Sequence, residues 1–236
     1  MTTFRTGRLA ATRPAALKDL AVYANGVIPR PPVKVDAPDI PLPIDGNAQY
    51  GDCTMAGLDH VVRVSRALYG DTGVLPSESE IVAKYLQLSP NDTGLNESEL
   101  LQRWQKVGLG LFGGQPRGFA PVPPKDTLQI MQSIAFYGTC YFGVIVGAPQ
   151  QEQFARNEPW EWVDGQEEDG HCIVGIGYDS GGVYCATWGS VAYTPWGFLA
   201  HSLEESWCIL THQLVEAKQD TLGLDLASLE ADLARI

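Results

Sequence analysis

"QYGDCTMAGLDHVVRVSRAL", residues 49–68, places one cysteine at the opening of a long amphipathic segment. After Cys53, Leu58, Val61, Val62, Ala67 and Leu68 recur at helical spacing, and Gly70 supplies a stop signal. Asp52 stands where an N-cap is expected. A cysteine so placed feels the positive end of the helix dipole and the free N–H groups of the first turn, which favour the reactive thiolate. The bland alternative is a small apolar residue at the start of a buried helix, inert as most buried free cysteines are.

Upstream of this helix, residues 1–46 stand apart. After a short helix expected over Ala15 to Tyr23, "IPRPPVKVDAPDIPLPIDGN" carries six prolines. Proline fixes φ and lacks a donor, so this stretch is expected to be an extended arm, docked on a surface through Ile40, Leu42 and Ile44. Downstream, "PSESEIVAKYLQLS" is a helix with Ser77 as cap and Glu80 completing a capping box. "NESELLQRWQKVG" is another, ended by Gly108, and Gly108 to Pro124 is loop with short extended pieces. "KDTLQIMQSIAFYG" is a helix leading into the apolar strand "TCYFGVIVGA".

The second half changes character. "HCIVGIGYD" and "VYCATWGS" flank a turn at Ser180–Gly182 and form a β-hairpin. "FLAHSL" and "SWCILTH" are further strand or short helix. In "DTLGLDLASLEADLARI", Leu222, Leu226, Leu229 and Leu233 share one helical face, which favours a terminal helix docked on its own domain over a partner-binding one. Helices first and strands later give an α+β fold. The expected division is an arm over 1–46, an α+β domain over 47–215 and a C-terminal amphipathic helix over 216–236.

Bulk properties exclude several function classes. The formal net charge of −12 over 236 residues disfavours a nucleic-acid or anionic-membrane partner, either of which needs a basic surface. The longest apolar run, "YFGVIVGA" at 141–148, is too short to cross a membrane. The first twenty residues lack the apolar core of a secretory signal, so a cytoplasmic or virion-associated location is expected. Five widely spaced cysteines suit free thiols, and Cys140, Cys172, Cys185 and Cys208 fall in strand contexts that favour core packing. With no CxxC and no HxxxH, neither a metal site nor a cofactor is expected.

Among the histidines, His171 alone opens a strongly strand-like segment. His60 lies within the Cys53 helix on a different part of its surface and is expected to be a surface or satisfied histidine, and His201 and His212 lie in less distinctive sequence. A thiol and an imidazole distant in sequence but adjacent in space make the pair of nucleophilic catalysis. At this point residues 31–200 resemble a divergent papain-like cysteine peptidase. The proline-rich lead-in precedes "NAQYGDCTMAG" on the long helix, "GHCIVGIGYD" is similar to the family's His strand, and "ATWGSVAYTPWGF" to its Asn-Ser-Trp-Gly…Trp-Gly segment. The pattern resembles bacterial and phage proteins with Gly-Asp-Cys, His and Trp-Gly in that order.

The resemblance implies a papain-like fold, with the Cys53 helix packed against a β-rich, barrel-like second half, and Cys53 and His171 as the catalytic pair. The oxyanion donor falls on Asn47, six residues before the nucleophile, ahead of Gln49. The orienting asparagine falls on Ala186, which leaves Thr187 or Asp169 as a substitute, and Trp188 as the shield behind the histidine. Asp52 would disfavour a thiolate it faced. Two readings follow: a peptidase or amidase acting on peptide or protein, and a catalytically silent papain-fold module such as a phage-particle component. The second draws on Ala186 and on an arm shorter than the removable inhibitory region of a papain-like protease. An arm that crosses the cleft would block substrate, and it and the C-terminal helix would then contact protein partners.

Overall fold

The computed structural model describes residues 4–24, 28–70, 73–218 and 223–236. In chain order it comprises α1 (Leu20–Tyr23), α2 (Cys53–Tyr69), α3 (Glu78–Leu88), α4 (Glu97–Val107), β1 (Gly118–Pro121), α5 (Thr127–Tyr137) and β2 (Cys140–Val146). Then follow α6 (Ala148–Ala155), β3 (Asp169–Tyr178), β4 (Gly182–Thr187), β5 (Ser190–Pro195), α7 (Trp196–Ser202), β6 (Leu203–Leu210), α8 (His212–Ala217) and α9 (Leu226–Leu233). The six strands form one antiparallel sheet in the order β1-β6-β2-β3-β4-β5. The architecture is α+β, with α2 laid against the β3 region of the sheet.

Helix α2 is buried over most of its circumference from Cys53 to Arg66. Its approach to the sheet depends on Gly57, where a Cβ would lie 2.7 Å from the Tyr141 ring and 2.8 Å from the Cys172 sulfur. The Tyr141 hydroxyl donates to the Thr54 carbonyl at 2.8 Å in a fully buried bond that fixes the helix's first turn on β2. Full burial of side chains such as Tyr141, Phe142 and Trp207 supplies the main driving force, about 1.5–3 kcal/mol for each large apolar side chain.

Local signals behave as their chemistry dictates. Ser77 and Glu80 form the capping box of α3, and Asn96 and Asp126 cap α4 and α5 through their side chains. The expected helix over Ala15 to Tyr23 shrinks to the four residues of α1, since Pro14 and a turn precede it. The proline-rich stretch is extended and docked: Val35 and Tyr178 exchange backbone bonds of 2.9 Å, and His60 Nε2 donates to the Pro43 carbonyl at 2.9 Å. His60 is therefore a buried, satisfied helix histidine, not a surface one. Of the C-terminal leucines, Leu229 and Leu233 are buried against β1 at Gly118, while Leu222 lies outside the described residues.

One strand escapes the sequence pattern. Trp188 and Gly189 adopt positive φ (44° and 79°), a two-residue reversal that folds "SVAYTP" back on β4 as β5. A tryptophan in the left-handed region is uncommon, and here packing holds it there. No helix among the described residues is long and apolar enough to cross a membrane.

Gly57→Ala is expected to destabilise the fold. Helix propensity would favour alanine by about 1 kcal/mol, but overpacking against Tyr141 and Cys172 costs about 1–3 kcal/mol or more. The urea midpoint should fall; an unchanged or raised midpoint would contradict this packing.

Candidate active site

Cys53 is the first residue of α2 and is almost fully buried. The backbone N–H of Cys172, the residue after His171, comes to its sulfur, so α2 and β3 bring the thiol and the histidine segment together. His171 is itself completely buried. Its Nε2 pairs with the Thr187 hydroxyl at 2.8 Å, and the Trp188 indole stacks on its ring at 4.4 Å between centroids. Its Nδ1 has no hydrogen-bond partner among the described residues, which leaves one ring nitrogen of a buried imidazole uncommitted.

The substitutes for the missing asparagine separate. Thr187, at the end of β4, holds the imidazole, whereas Asp169 sits exposed at the start of β3 opposite Val146. Trp188 covers the histidine and anchors an aromatic cluster with Phe4, Phe154 and Trp160. Gln49 is exposed. Asn47 is buried, and its amide donates to the Asp52 carboxylate. Asp52 also accepts from the Gly46 N–H at 2.9 Å, so its side chain turns back onto the preceding loop and does not cap α2.

Sequence reasoning allowed for an arm across the cleft but did not identify which of its residues lie on the site. Residues 4–10 run as a strap across Cys53. Phe4 stacks on Trp188 at 4.9 Å, and the Arg5 N–H donates to the Asn47 carbonyl at 2.7 Å. The Gly7 and Arg8 N–H groups donate to the Gly170 carbonyl, immediately before His171. On the other side, Leu95 N–H donates to the Gly7 carbonyl and Leu9 N–H to the Leu95 carbonyl, both at 3.0 Å. The Gly7 N–H lies beside the Cys53 sulfur. Nothing in "TFRTGRLA" marks it as a strap except glycine at the crowded position.

The strap sets the electrostatics. Burial pushes the Cys53 thiol up to about 12; the Asp52 and Glu97 carboxylates add to the rise, and the Cys172 and Gly7 N–H groups oppose it. Burial lowers the His171 imidazole to about 3, with the Arg8 guanidinium adding to the drop. Thiol and imidazole are both neutral in this state, and the helix dipole at Cys53 does not overcome its desolvation. The other four cysteines are buried free thiols, as their strand contexts implied. Among the described residues no cluster of His, Cys, Asp or Glu has the makings of a metal site.

No protein-family model matches the chain, and no curated protein matches it by sequence. Solved structures do match in three dimensions. Xylellain, a cysteine protease from Xylella fastidiosa, superposes with a TM-score of 0.72 at 14% identity, over 89% of this chain and 98% of that one. The Carica candamarcensis cysteine protease CMS1MS2, solved in complex with E-64, gives 0.55 at 15% identity over 76% and 99%. The cysteine protease and lectin-like domains of Cwp84, a surface-layer-associated protein of Clostridium difficile, give 0.51 at 9% identity over 88% and 56%. The fold is papain-like.

Asp45 and Asp52, buried in the loop before α2, make stability depend on pH. Burial, then the neighbouring Asp59 and Asp52 carboxylates, raise Asp45 from 3.8 to about 9, with Glu78 adding and Arg63 opposing. Burial raises Asp52 to about 6 against its Asn47 and Gly46 donors. A folded state that keeps protons the unfolded chain releases loses stability as pH rises. Below about 6.5 His60 and His171, lowered by burial, act in the opposite direction. The net fall is therefore expected from about pH 6.5 to 9, the range over which Asp45 keeps its proton only in the folded chain; Glu97, raised by burial, acts in the same direction. Asp45→Asn should flatten it by up to about 1.4 kcal/mol per pH unit, seen in urea midpoints at pH 6.5, 7.5 and 8.5. An unaltered slope would show that Asp45 is ionised throughout.

Proposed function

We propose that the chain is a papain-like cysteine peptidase or amidase held latent by its own residues 4–10. The observation that carries this reading is the strap's position. A peptide backbone lies over the Cys53 sulfur, between Leu95 and Gly170, where a substrate would have to lie for Cys53 to attack it. With the strap displaced, water reaches the site and the burial that keeps both groups neutral is relieved.

His171, oriented by Thr187 and covered by Trp188, then takes the thiol proton, and the Cys53 sulfur forms a bond to the acyl carbon. The backbone N–H of Cys53, free of an intrahelical partner in the first turn, faces the developing oxyanion. Asn47 joins it when Asp52 releases the amide. The imidazolium returns the proton to the leaving amine as the C–N bond breaks, and water cleaves the thioester. Thr187 replaces an amide carbonyl with a hydroxyl, which fixes the ring through one bond.

The burial of Cys53 and His171 also favours a second reading, a catalytically silent module such as a structural component of a phage particle. Gly7→Ala separates the two. A Cβ on Gly7 would lie 1.9 Å from the Gly51 carbonyl oxygen, so the strap must lift. Iodoacetamide labelling of Cys53 at pH 7 is expected to be slow in the unsubstituted chain. In Gly7→Ala it should rise at least about tenfold, as a loss of about 1.4 kcal/mol of closing free energy implies, and fall again when His171→Ala is added. Labelling indifferent to His171 in the opened chain would establish the silent module.

A further inference from the structure

Arg8 is the strap residue next to the one lying over the sulfur, and its side chain is only 1% exposed. The guanidinium donates to Glu205 Oε1 at 2.9 Å and to the Glu204 carboxylate, whose side chain reaches solvent. The aliphatic stem passes over Gly143, where a Cβ would lie 2.8 Å from Arg8 Cδ and 2.6 Å from Glu205 Cγ. Glu205 is fixed from behind by the Trp207 indole N–H at 3.0 Å. A third carboxylate, Glu97 on the first turn of α4, is fully buried beside the Cys172 thiol and the Trp207 indole. Burial holds this carboxyl well above the usual carboxylate range, with the Cys172 thiol and the Trp207 indole as its neighbours and Arg8 close enough to oppose the rise.

Two carboxylates, Glu204 and Glu205, therefore converge on one guanidinium, with the buried Glu97 carboxyl behind them, more acidic groups than one anchoring ion pair needs. As a device for stability alone this is poor, because apolar residues of similar volume would cost less desolvation. What it provides is recognition of a planar cation with a fork of donors. Beyond Arg8 a small cavity of about 130 Å³, lined by Thr12, Pro121, Glu204 and Trp207, opens the pocket to the surface.

We propose that the pocket now filled by Arg8 is a substrate subsite for an arginine side chain neighbouring the residue attacked, with Glu205 setting the specificity, Glu97 behind it and Glu204 closing the rim. Arg8 is then a stand-in for the substrate's arginine, and lifting the strap empties a site whose negative charge must find another cation. The assignment rests on the strap reading above, and binding and turnover test the two separately.

Binding is measured on full-length Gly7→Ala,Cys53→Ala by fluorescence anisotropy with labelled peptides whose residues flanking a central glycine are Arg, Lys, Leu or Glu. Arginine peptides are expected to bind about 30-fold more tightly than leucine peptides, the effect of leaving a buried charge unpaired, and Glu205→Gln should abolish the difference. Equal binding overturns the subsite whatever the turnover. Hydrolysis of internally quenched versions by full-length Gly7→Ala is read in parallel. Preference in binding without hydrolysis supports the subsite and removes the peptidase reading; hydrolysis without preference does the reverse. Should Gly7→Ala fail to fold, Arg8→Met keeps the stem over Gly143 and empties only the charged end. Methylguanidinium should then raise its melting temperature more than methylammonium does at equal ionic strength, and no difference would overturn the assignment.

Discussion

The strap can lie on the nucleophile only because three backbone positions carry no side chain. A Cβ on Gly7 would stand 1.9 Å from the Gly51 carbonyl oxygen, one on Gly94 1.9 Å from the Gly7 carbonyl oxygen, and one on Gly170 2.2 Å from the Arg8 carbonyl oxygen. Backbone therefore meets backbone on both walls of the cleft, and the hydrogen bonds of Gly7, Arg8, Leu9 and Leu95 close over Cys53. Water excluded by that closure is what moves the thiol up and the imidazole down.

The aromatic cluster and the acidic pocket clamp the strap at its two ends. Phe4 stacks on Trp188, the same indole that covers His171, so the shield of the histidine and the anchor of the strap are one side chain. Trp188 is held at positive φ, a conformation that costs energy in isolation and is maintained by contacts on several faces. At the other end, Arg8 is drawn into carboxylates supplied by β6, with the Glu97 carboxyl from the first turn of α4 behind them. Occlusion of Cys53, orientation of His171 and filling of the pocket are thus coupled through one short segment.

Much of the framework was legible because it is written in local chemistry. The α2 helix, the Ser77–Glu80 capping box, the glycine stop after α4 and the hairpin around Ser180–Gly182 all follow from residues near one another in the chain. The strand β5 was not legible, because its turn uses a tryptophan in a conformation that sequence rules reserve for glycine and asparagine. Asp52 misled for a related reason: a side chain suited to capping its own helix found better donors in Asn47 and Gly46. The order of Cys53, His171 and Trp188 pointed to their meeting, while the choice of Thr187 over Asp169 needed the register of β3 and β4.

The sequence by itself determined the element types, the buried helix that presents Cys53 and the pairing of that helix with the His171 strand. Periodicity, caps and turn residues act within a few positions and leave their mark there. Only the tertiary structure decided the state of the site, because burial is a property of what other segments cover. Residues 4–10 carry no signal of helix or strand, yet they set the exposure and protonation of groups nearly fifty and more than one hundred and sixty positions away. Contacts between segments so far apart depend on packing, which no local pattern encodes.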